Sequence, residues 1–470
     1  MSGTARPGDR AAVTDTTPPP PTGHRRWWIF ATVGLALFMA SIDQTIVATA
    51  LPTLQHDLHA TVNWSSWTIT VYSLGQVIAM PTAGRLSDLY GRKLVFVSAI
   101  VLFTVTSLGC ALVDKVYVLV VLRACQALGG GAFMPSATGI VADEFGRDRD
   151  RAIGFFASIF PIGGVIGPVL GGVFVTYWSW RGIFLVNVPI GAVLVVLSLA
   201  LIAHTRVRTE ARVDVVGVAL LAGLLLAAMV GIAQLGRGSV SVVDPVFWAP
   251  ELGAIVLAVL FVRHAGRART PVVPIMLLRA RGFAVMNLLN FMVGSAALGF
   301  GALIPLYAQQ RYGISALSSS TLLTGRAIAT FVVASLAVLA MRRTGYRLPM
   351  AIGSLVVAVG TALTALAPVQ DAYLWLAAGT AVTGLGMGCS IPSTNNAALN
   401  MAPEQASAVS GLRGMFRQGG SITSVSITSA IIARSADPGV AQGHVFAVFA
   451  VLMVATVPLA FLVPDHHGSW

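Results

Sequence analysis

The chain has 470 residues, of which 56% are hydrophobic and only 10% charged, and its mean hydropathy is +0.80. That composition excludes a soluble domain, whose surface needs more charge, and leaves a polytopic membrane protein. The formal charge of +12 does not describe a nucleic-acid face, because the basic residues come in short clusters between apolar runs and not along an aromatic-laced surface.

Residues 1–26 form a polar leader that contains Pro18 to Pro21 and passes through His24, Arg25 and Arg26 directly into Trp27. This predicts a disordered cytoplasmic tail with no cleavable signal peptide. The first span is Trp27–Leu51, whose 25 residues reach roughly 37 Å at about 1.5 Å each, against about 30 Å of hydrocarbon. It carries one ionisable residue, Asp43. A carboxylate at the centre of a lone helix costs about 3 kcal/mol to insert, so Asp43 must face protein or a watery cavity. Its role is then a proton or substrate site, or a buried polar strut.

Five more apolar runs follow near 65–83, 94–112, 116–142, 152–177 and 182–203, two near 215–235 and 246–262, and six near 283–309, 316–341, 349–368, 372–398, 409–433 and 443–463. The expected fold is therefore an all-α membrane protein of fourteen transmembrane helices. The expected organisation is a six-helix half over 27–203, a linker over 204–282 with two extra helices, a second six-helix half over 283–464, and a short tail over 465–470. Paired halves place a substrate site between them near the midplane. Basic residues support the count: 23 of the 30 Lys and Arg fall on the side of the N-terminal tail and five on the other (Lys115, Arg181, Arg237, Arg311 and Arg434), while Arg123 and Arg326 lie inside spans. This predicts a multi-pass protein of the cytoplasmic membrane with both termini cytoplasmic.

Cys110, Cys125 and Cys389 lie in apolar segments without metal-ligand spacing, so no metal site and no disulfide framework is expected. No cofactor is expected either. The run GxxxxGK[ST] is absent from the sequence, so no P-loop for ATP is expected.

Three constellations carry chemistry. Asp43 lies eight residues before Leu51, and Arg123 lies eight after Lys115 at the same end of the fourth span, so each is about 12 Å below that surface. They are placed to meet, and an ion pair would offset much of two burial penalties. The loop GRLSDLYGRK, Gly84 to Lys93, joins two spans over a short distance; it sets Asp88 and Arg92 at i, i+4, where they can pair or engage a neighbouring helix end. The fifth span contains Gly163, Gly167, Pro168, Gly171 and Gly172, small residues that let helices approach closely and a proline that introduces a kink.

The loop resembles the signature between the second and third helices of the major facilitator superfamily, which implies that Gly84, Asp88, Gly91 and Arg92 form a conformational latch. The fifth-span run resembles the antiporter motif of that superfamily. The stretch from Arg123 through Gln126 to Gly131 is similar to its fourth-helix motif, whose arginine is assigned to proton transfer. The run from Asp43 to Pro52, with Trp67, Tyr72, Trp180 to Phe184, Asn187 and Pro189, looks like the fourteen-helix drug–proton antiporter branch. The run Phe416 to Gly420 also looks like that branch. The resemblance implies proton-coupled efflux of drugs or secondary metabolites, with Asp43 and Arg123 coupling protons. The expected partners are a small-molecule substrate, protons and the lipid bilayer, without nucleic acid, and the chain is expected to act as a monomer. An amino-acid, siderophore or sugar exporter of the same superfamily is the alternative. A membrane-embedded transferase or hydrolase is disfavoured, since all eight histidines fall in tails, loops or span ends.

Gln126, Asn287, Asn290, Arg326, Asn395 and Asn396 are candidate substrate-cavity residues. For the asparagines, interhelical hydrogen bonding is an equal reading. Apart from Asp43, only Glu251 is a carboxylate within a span, near the start of the eighth, where a helix N-terminus and interfacial water make it cheap. Exporters of the drug–proton antiporter branch that take divalent organic cations are associated with a further acid in the second half. This chain instead has Arg326 mid-span in the tenth helix, which argues against dicationic substrates and leaves Arg326 to contact an anionic or polar substrate or to bond backbone carbonyls.

Overall fold

The computed structural model describes residues 23–60, 62–157, 159–203, 214–235, 244–268, 271–273, 281–402, 405–432 and 434–464. Most of the 1–26 leader, the basic segment 206–212 and the 465–470 tail lie outside them. Among the described residues all regular structure is helical. The first group of helices is α1 (Gly23–Asp57), α2 (Val62–Tyr90), α3 (Arg92–Leu112), α4 (Val116–Phe145), α5 (Arg149–Ala157), α6 (Ile159–Tyr177), the short α7 (Gly182–Leu185) and α8 (Asn187–Leu201). A pair follows, α9 (Val215–Leu235) and α10 (Pro245–Ala265). The last group is α11 (Arg281–Gly294), a π-helical stretch Ser295–Phe300, α12 (Gly301–Tyr312), α13 (Ala316–Thr344), α14 (Arg347–Ala365), α15 (Ala372–Met401), α16 (Ala406–Ile432) and α17 (Pro438–Thr456) with a 3-10 extension Val457–Leu462.

Nine helices among the described residues are long and apolar enough to cross a membrane. Neither α2 nor α16 is one of them, because each carries polar side chains that are buried inside the protein, such as Gln76 in α2 and Ser410, Arg413 and Gln418 in α16. The first helix begins at Gly23, so the end of the expected tail is helical, and Arg25 Nη2 donates to the Leu201 carbonyl at 2.8 Å. The run 116–142 with its internal arginine forms one continuous 30-residue helix, because Arg123 is satisfied within the bundle. The run 283–309 is interrupted by the π-helical stretch.

In the first group α1 packs on α6, α2 on α4, and α3 on α4 and α8. Their core is aromatic where three helices converge: Phe133 meets Phe96 and Phe103 at ring separations of 6.0 and 5.4 Å. In the last group α15 packs on α13 and α14, and α16 on α11. Phe300, Tyr307, Phe446 and Phe449 form its aromatic cluster. The groups meet mainly where α16 lies along α2 and α4. Small residues make that seam: a Cβ on Gly84 would fall on the Ser407 carbonyl, and one on Gly411 on the Met80 carbonyl. Ser410 Oγ donates to Thr138 Oγ1 at 3.0 Å across it. The inserted α9 rests against both α2 and α16, so the helix pair covers one side of this seam.

Candidate functional site

Asp43 is 1% exposed and Arg123 is 1% exposed. Arg123 Nη1 donates to Asp43 Oδ2 at 2.6 Å, so the structure brings together two charges 80 residues apart in the chain. The other carboxylate oxygen is also used. Gln126 Nε2 donates to Oδ1 at 3.1 Å and Asn187 Nδ2 at 3.0 Å. Gln126 in turn accepts from Arg123 Nη1 at 2.7 Å and donates to Ser107 Oγ at 2.6 Å. Arg123 Nε faces the Thr68 carbonyl at 3.4 Å, and its Cζ lies 3.9 Å from the Tyr72 ring centroid. One network therefore ties α1, α2, α3, α4 and α8. Each helix contributes one or two groups, and the charges are neutralised inside the first group of helices. An ion pair this dry retains its geometry because extra hydrogen bonds satisfy the remaining lone pairs, which is the condition for burial to be tolerated.

Two glycines of the fifth-span motif bear on this site. A Cβ on Gly163 would lie 2.6 Å from Ser41 Cβ, and one on Gly167 would overlap the Thr45 hydroxyl. Ser41 and Thr45 flank Asp43 by two residues on either side, so α6 is pressed against the turn that carries the carboxylate. Gly171 is buried and Gly172 is exposed with open space where a Cβ would stand. Pro168 lies in α6, and its side chain is outside the described residues.

At the α2–α3 turn Gly91 has φ 95°, a conformation that a side chain would strain. Asp88 Oδ2 accepts from the Ala408 backbone N–H at 3.0 Å. Ala408 belongs to the first turn of α16, so the carboxylate of one group sits on the N-terminus of a helix of the other, where backbone N–H groups and the helix dipole favour it. Arg92 Nη2 is 4.0 Å from Asp88 Oδ1, and its Nη1 engages Asp143 and the Gly139 carbonyl. Burial pushes the Asp88 carboxyl above its ordinary value, opposed by the Ala408 N–H and by Arg92. Lys93 Nζ donates to the Leu199 carbonyl at 2.8 Å, so the loop's last cation closes the end of α8.

The candidate cavity residues do not form one cluster. Gln126 belongs to the Asp43 network. Asn287 and Asn290 donate to the carbonyls four residues back on α11, Phe283 and Met286, each at 3.0 Å. Asn395 and Asn396 are buried within α15. Arg326 reaches from α13 to Gly301 of α12, and its Nη1 has no hydrogen-bond partner. Glu251 lies beside Gly231 of α9, inside the inserted pair. Sequence reasoning did not place Ser107 and Asn187 on the carboxylate; Asn187 was noticed only as part of a family pattern. Among the described residues no group of three or more His, Cys, Asp or Glu is placed to hold a metal ion.

A multi-helix membrane protein with a sealed carboxylate–guanidinium pair in one group of helices, and a small-residue seam latched to a second group, has the architecture of a membrane carrier. The model of the Major Facilitator Superfamily matches residues 33–425, and the chain belongs to that family, whose members are transporters and not enzymes. It is 28% identical to Multidrug transporter protein MdtP of Bacillus subtilis (strain 168), across 86% of this chain and 75% of that protein. It is 31% identical to the Multidrug resistance protein B homolog of Mycobacterium tuberculosis (strain H37Rv), across 83% of this chain and 73% of that protein. The fold is shared with the proton:xylose symporter XylE, at a TM-score of 0.66 and 13% identity, over 95% of this chain and 97% of that one.

Proposed function

We propose that this transporter exports small organic molecules, drugs or secondary metabolites, in exchange for protons across the cytoplasmic membrane. The observation that carries the reading is the buried Asp43 carboxylate with its donors on α4 and α8; the names of the multidrug relatives supply the cargo class. The described helices group into fourteen rods when α5 joins α6, α7 joins α8, and α11 joins α12 through the π-helical stretch. That grouping supports fourteen crossings, with halves over 27–203 and 283–464 joined by the 204–282 linker and with both termini in the cytoplasm. The protein works as a monomer.

Protonation of Asp43 removes the charge that holds Arg123 and turns one acceptor oxygen into a donor. Arg123 keeps Gln126 Oε1, the Thr68 carbonyl and the Tyr72 ring as partners, so it stays on α4 while α1 is released. Because α6 is pressed against Ser41 and Thr45, the release passes to α6, which touches α13 of the other half. On the cytoplasmic side, Asp88 on the N-terminus of α16 and the Gly84 and Gly411 contacts hold the halves closed, the arrangement of an outward-facing state. A potential of 100 mV supplies about 2.3 kcal/mol for each proton carried inward.

The test is efflux from proteoliposomes under an imposed pH gradient. Wild type concentrates substrate against its gradient, and Asp43→Asn, which mimics the uncharged carboxyl, does not, although it still exchanges substrate when no gradient is imposed. Gradient-driven accumulation by Asp43→Asn contradicts the assignment. For topology, single cysteines at Ala60 and Thr209 react with an impermeant maleimide on intact cells at Ala60 only; reaction at Thr209 contradicts the fourteen-span arrangement.

A further inference from the structure

Charge is distributed differently in the last group of helices. Its acids between residues 283 and 464 are Asp371, Glu404 and Asp437. Asp371 and Asp437 stand at the N-caps of α15 and α17, and Glu404 lies outside the described residues. Besides the arginines in the end turns of its helices, this group carries Arg326 well inside α13, and Arg413 and Arg417 well inside α16. Arg413 is 2% exposed and Arg417 is 8% exposed. Among the described residues neither Arg326 nor Arg413 has an ion-pair partner, and Arg326 Nη1 and Arg413 Nε donate to no hydrogen-bond acceptor.

The surroundings show where these cations point. Ser410, Arg413 and Arg417 recur at i, i+3 and i+7, one face of α16. Ser410 meets Thr138 of α4, and Arg417 Nη2 lies 3.2 Å from Met134 Sδ of α4. Arg413 therefore stands on the stripe that faces the first half. Arg326 occupies the position where a Cβ on Gly301 would overlap its guanidinium, so the glycine leaves the room that the cation fills. The helices α13 and α16 run antiparallel, being three crossings apart. Arg413 is thus toward the Asp88 end and Arg326 toward the opposite end, two cationic stations at different depths.

We propose that these stations bind the anionic group of the exported molecule, an amphipathic organic carboxylate or sulfonate, and that organic cations are rejected. The inference rests on the exporter reading above. An uncompensated buried guanidinium carries a desolvation cost, and an arriving oxyanion supplies the charge-assisted, bidentate bonds that offset it. A cation meets like charge, and among the described residues no carboxylate pairs with either arginine. The charge accounting follows: one monoanion leaving for one proton entering moves two charges in the same sense, whereas one monocation leaving for one proton moves none.

Purified protein in proteoliposomes is offered taurocholate as an organic monoanion, ethidium as an organic monocation, and a panel of neutral amphiphiles, under a fixed pH gradient. Taurocholate transport is expected, with a several-fold increase when a valinomycin potential of the favourable sign is imposed. Arg326→Gln is expected to lose at least tenfold of it, and Arg326→Lys to recover part. Because Arg326→Gln removes an uncompensated charge, its Tm in detergent should equal or exceed that of wild type, which separates loss of binding from loss of fold; Arg413→Gln gives the same pair of readings independently. Ethidium transport with taurocholate ignored, or unchanged taurocholate transport in both variants, overturns the inference and leaves the exporter reading standing. Equal competition by inorganic phosphate overturns the organic-anion assignment. Transport of no compound in the panel contradicts the exporter reading itself.

Discussion

The two helix groups handle buried charge in opposite ways. In the first, Asp43 and Arg123 cancel, and Gln126, Asn187 and Ser107 complete their hydrogen bonds. In the last, Arg326 and Arg413 lie in helices that contain no carboxylate. A neutral, fully bonded network stores a protonation event within one half, because any proton that enters must break it. A cation without a counter-ion stores a demand for an anion. If the proposed roles hold, coupling and recognition occupy different halves, and a change in one has two routes to the other: the seam of α2, α4 and α16, and the contact of α6 with α13.

The largest effect should come from unbalancing the first half. Arg123→Gln leaves the Asp43 carboxylate buried with only amide donors, which should destabilise by about 3 to 5 kcal/mol, as for other broken buried pairs. The double variant Asp43→Asn with Arg123→Gln should regain most of that loss in thermal unfolding while remaining inactive in gradient-driven efflux. If the double variant is no more stable than Arg123→Gln alone, the pair is not energetically coupled.

Next is the seam. Gly411→Leu would drive a side chain into the Met80 backbone, so the cytoplasmic side should fail to close. Labelling of a cysteine introduced at Ser410 should rise several-fold in this variant and stay low in its absence. Unchanged labelling would mean that α2 and α16 do not form the closing contact.

A smaller change is expected at the latch. Asp88→Asn keeps an oxygen for the Ala408 N–H but loses the charge at the helix N-terminus, an interaction of about 0.3 to 2 kcal/mol. Exchange between inward and outward states should shift while equilibrium substrate affinity changes little. Loss of affinity as large as the loss of transport would make the loop part of the binding site.

The smallest effect belongs to the inserted helix pair, which lies outside both halves. Although burial alone would raise it, the Asp214 carboxyl is held below its ordinary value by His264 at 2.6 Å and by the Gly217 and Val272 N–H groups. A depressed carboxyl contributes stability that is present above the unfolded value and lost as pH falls through the folded one. Asp214→Asn should therefore cost about 1 kcal/mol at pH 7, the size of a helix cap, and the difference in Tm should narrow below about pH 4. A difference independent of pH would remove the charge from the account.

Helix rise made much of this readable in advance. The equal depth reckoned for Asp43 and Arg123 became a 2.6 Å contact, because a continuous helix converts residue number directly into height. Gln126, expected to line a cavity, donates to Asp43; its i, i+3 spacing from Arg123 already placed both on one face of α4. Asn187 was different, since its reach to Asp43 depends on how α8 packs, and one-dimensional patterning contains no such information. Asn287 and Asn290 bond back to their own helix, a choice that only the packed environment decides. The interruption of the ninth span by a π-helical stretch had no signal in its apolar run.

The most direct measurement of the central claim is proton release from the detergent-solubilised protein in weakly buffered solution when substrate is added. Wild type should release protons in proportion to the substrate bound, and Asp43→Asn should bind substrate without releasing any. Equal release from Asp43→Asn and wild type would show that the coupling proton resides elsewhere and would contradict the account.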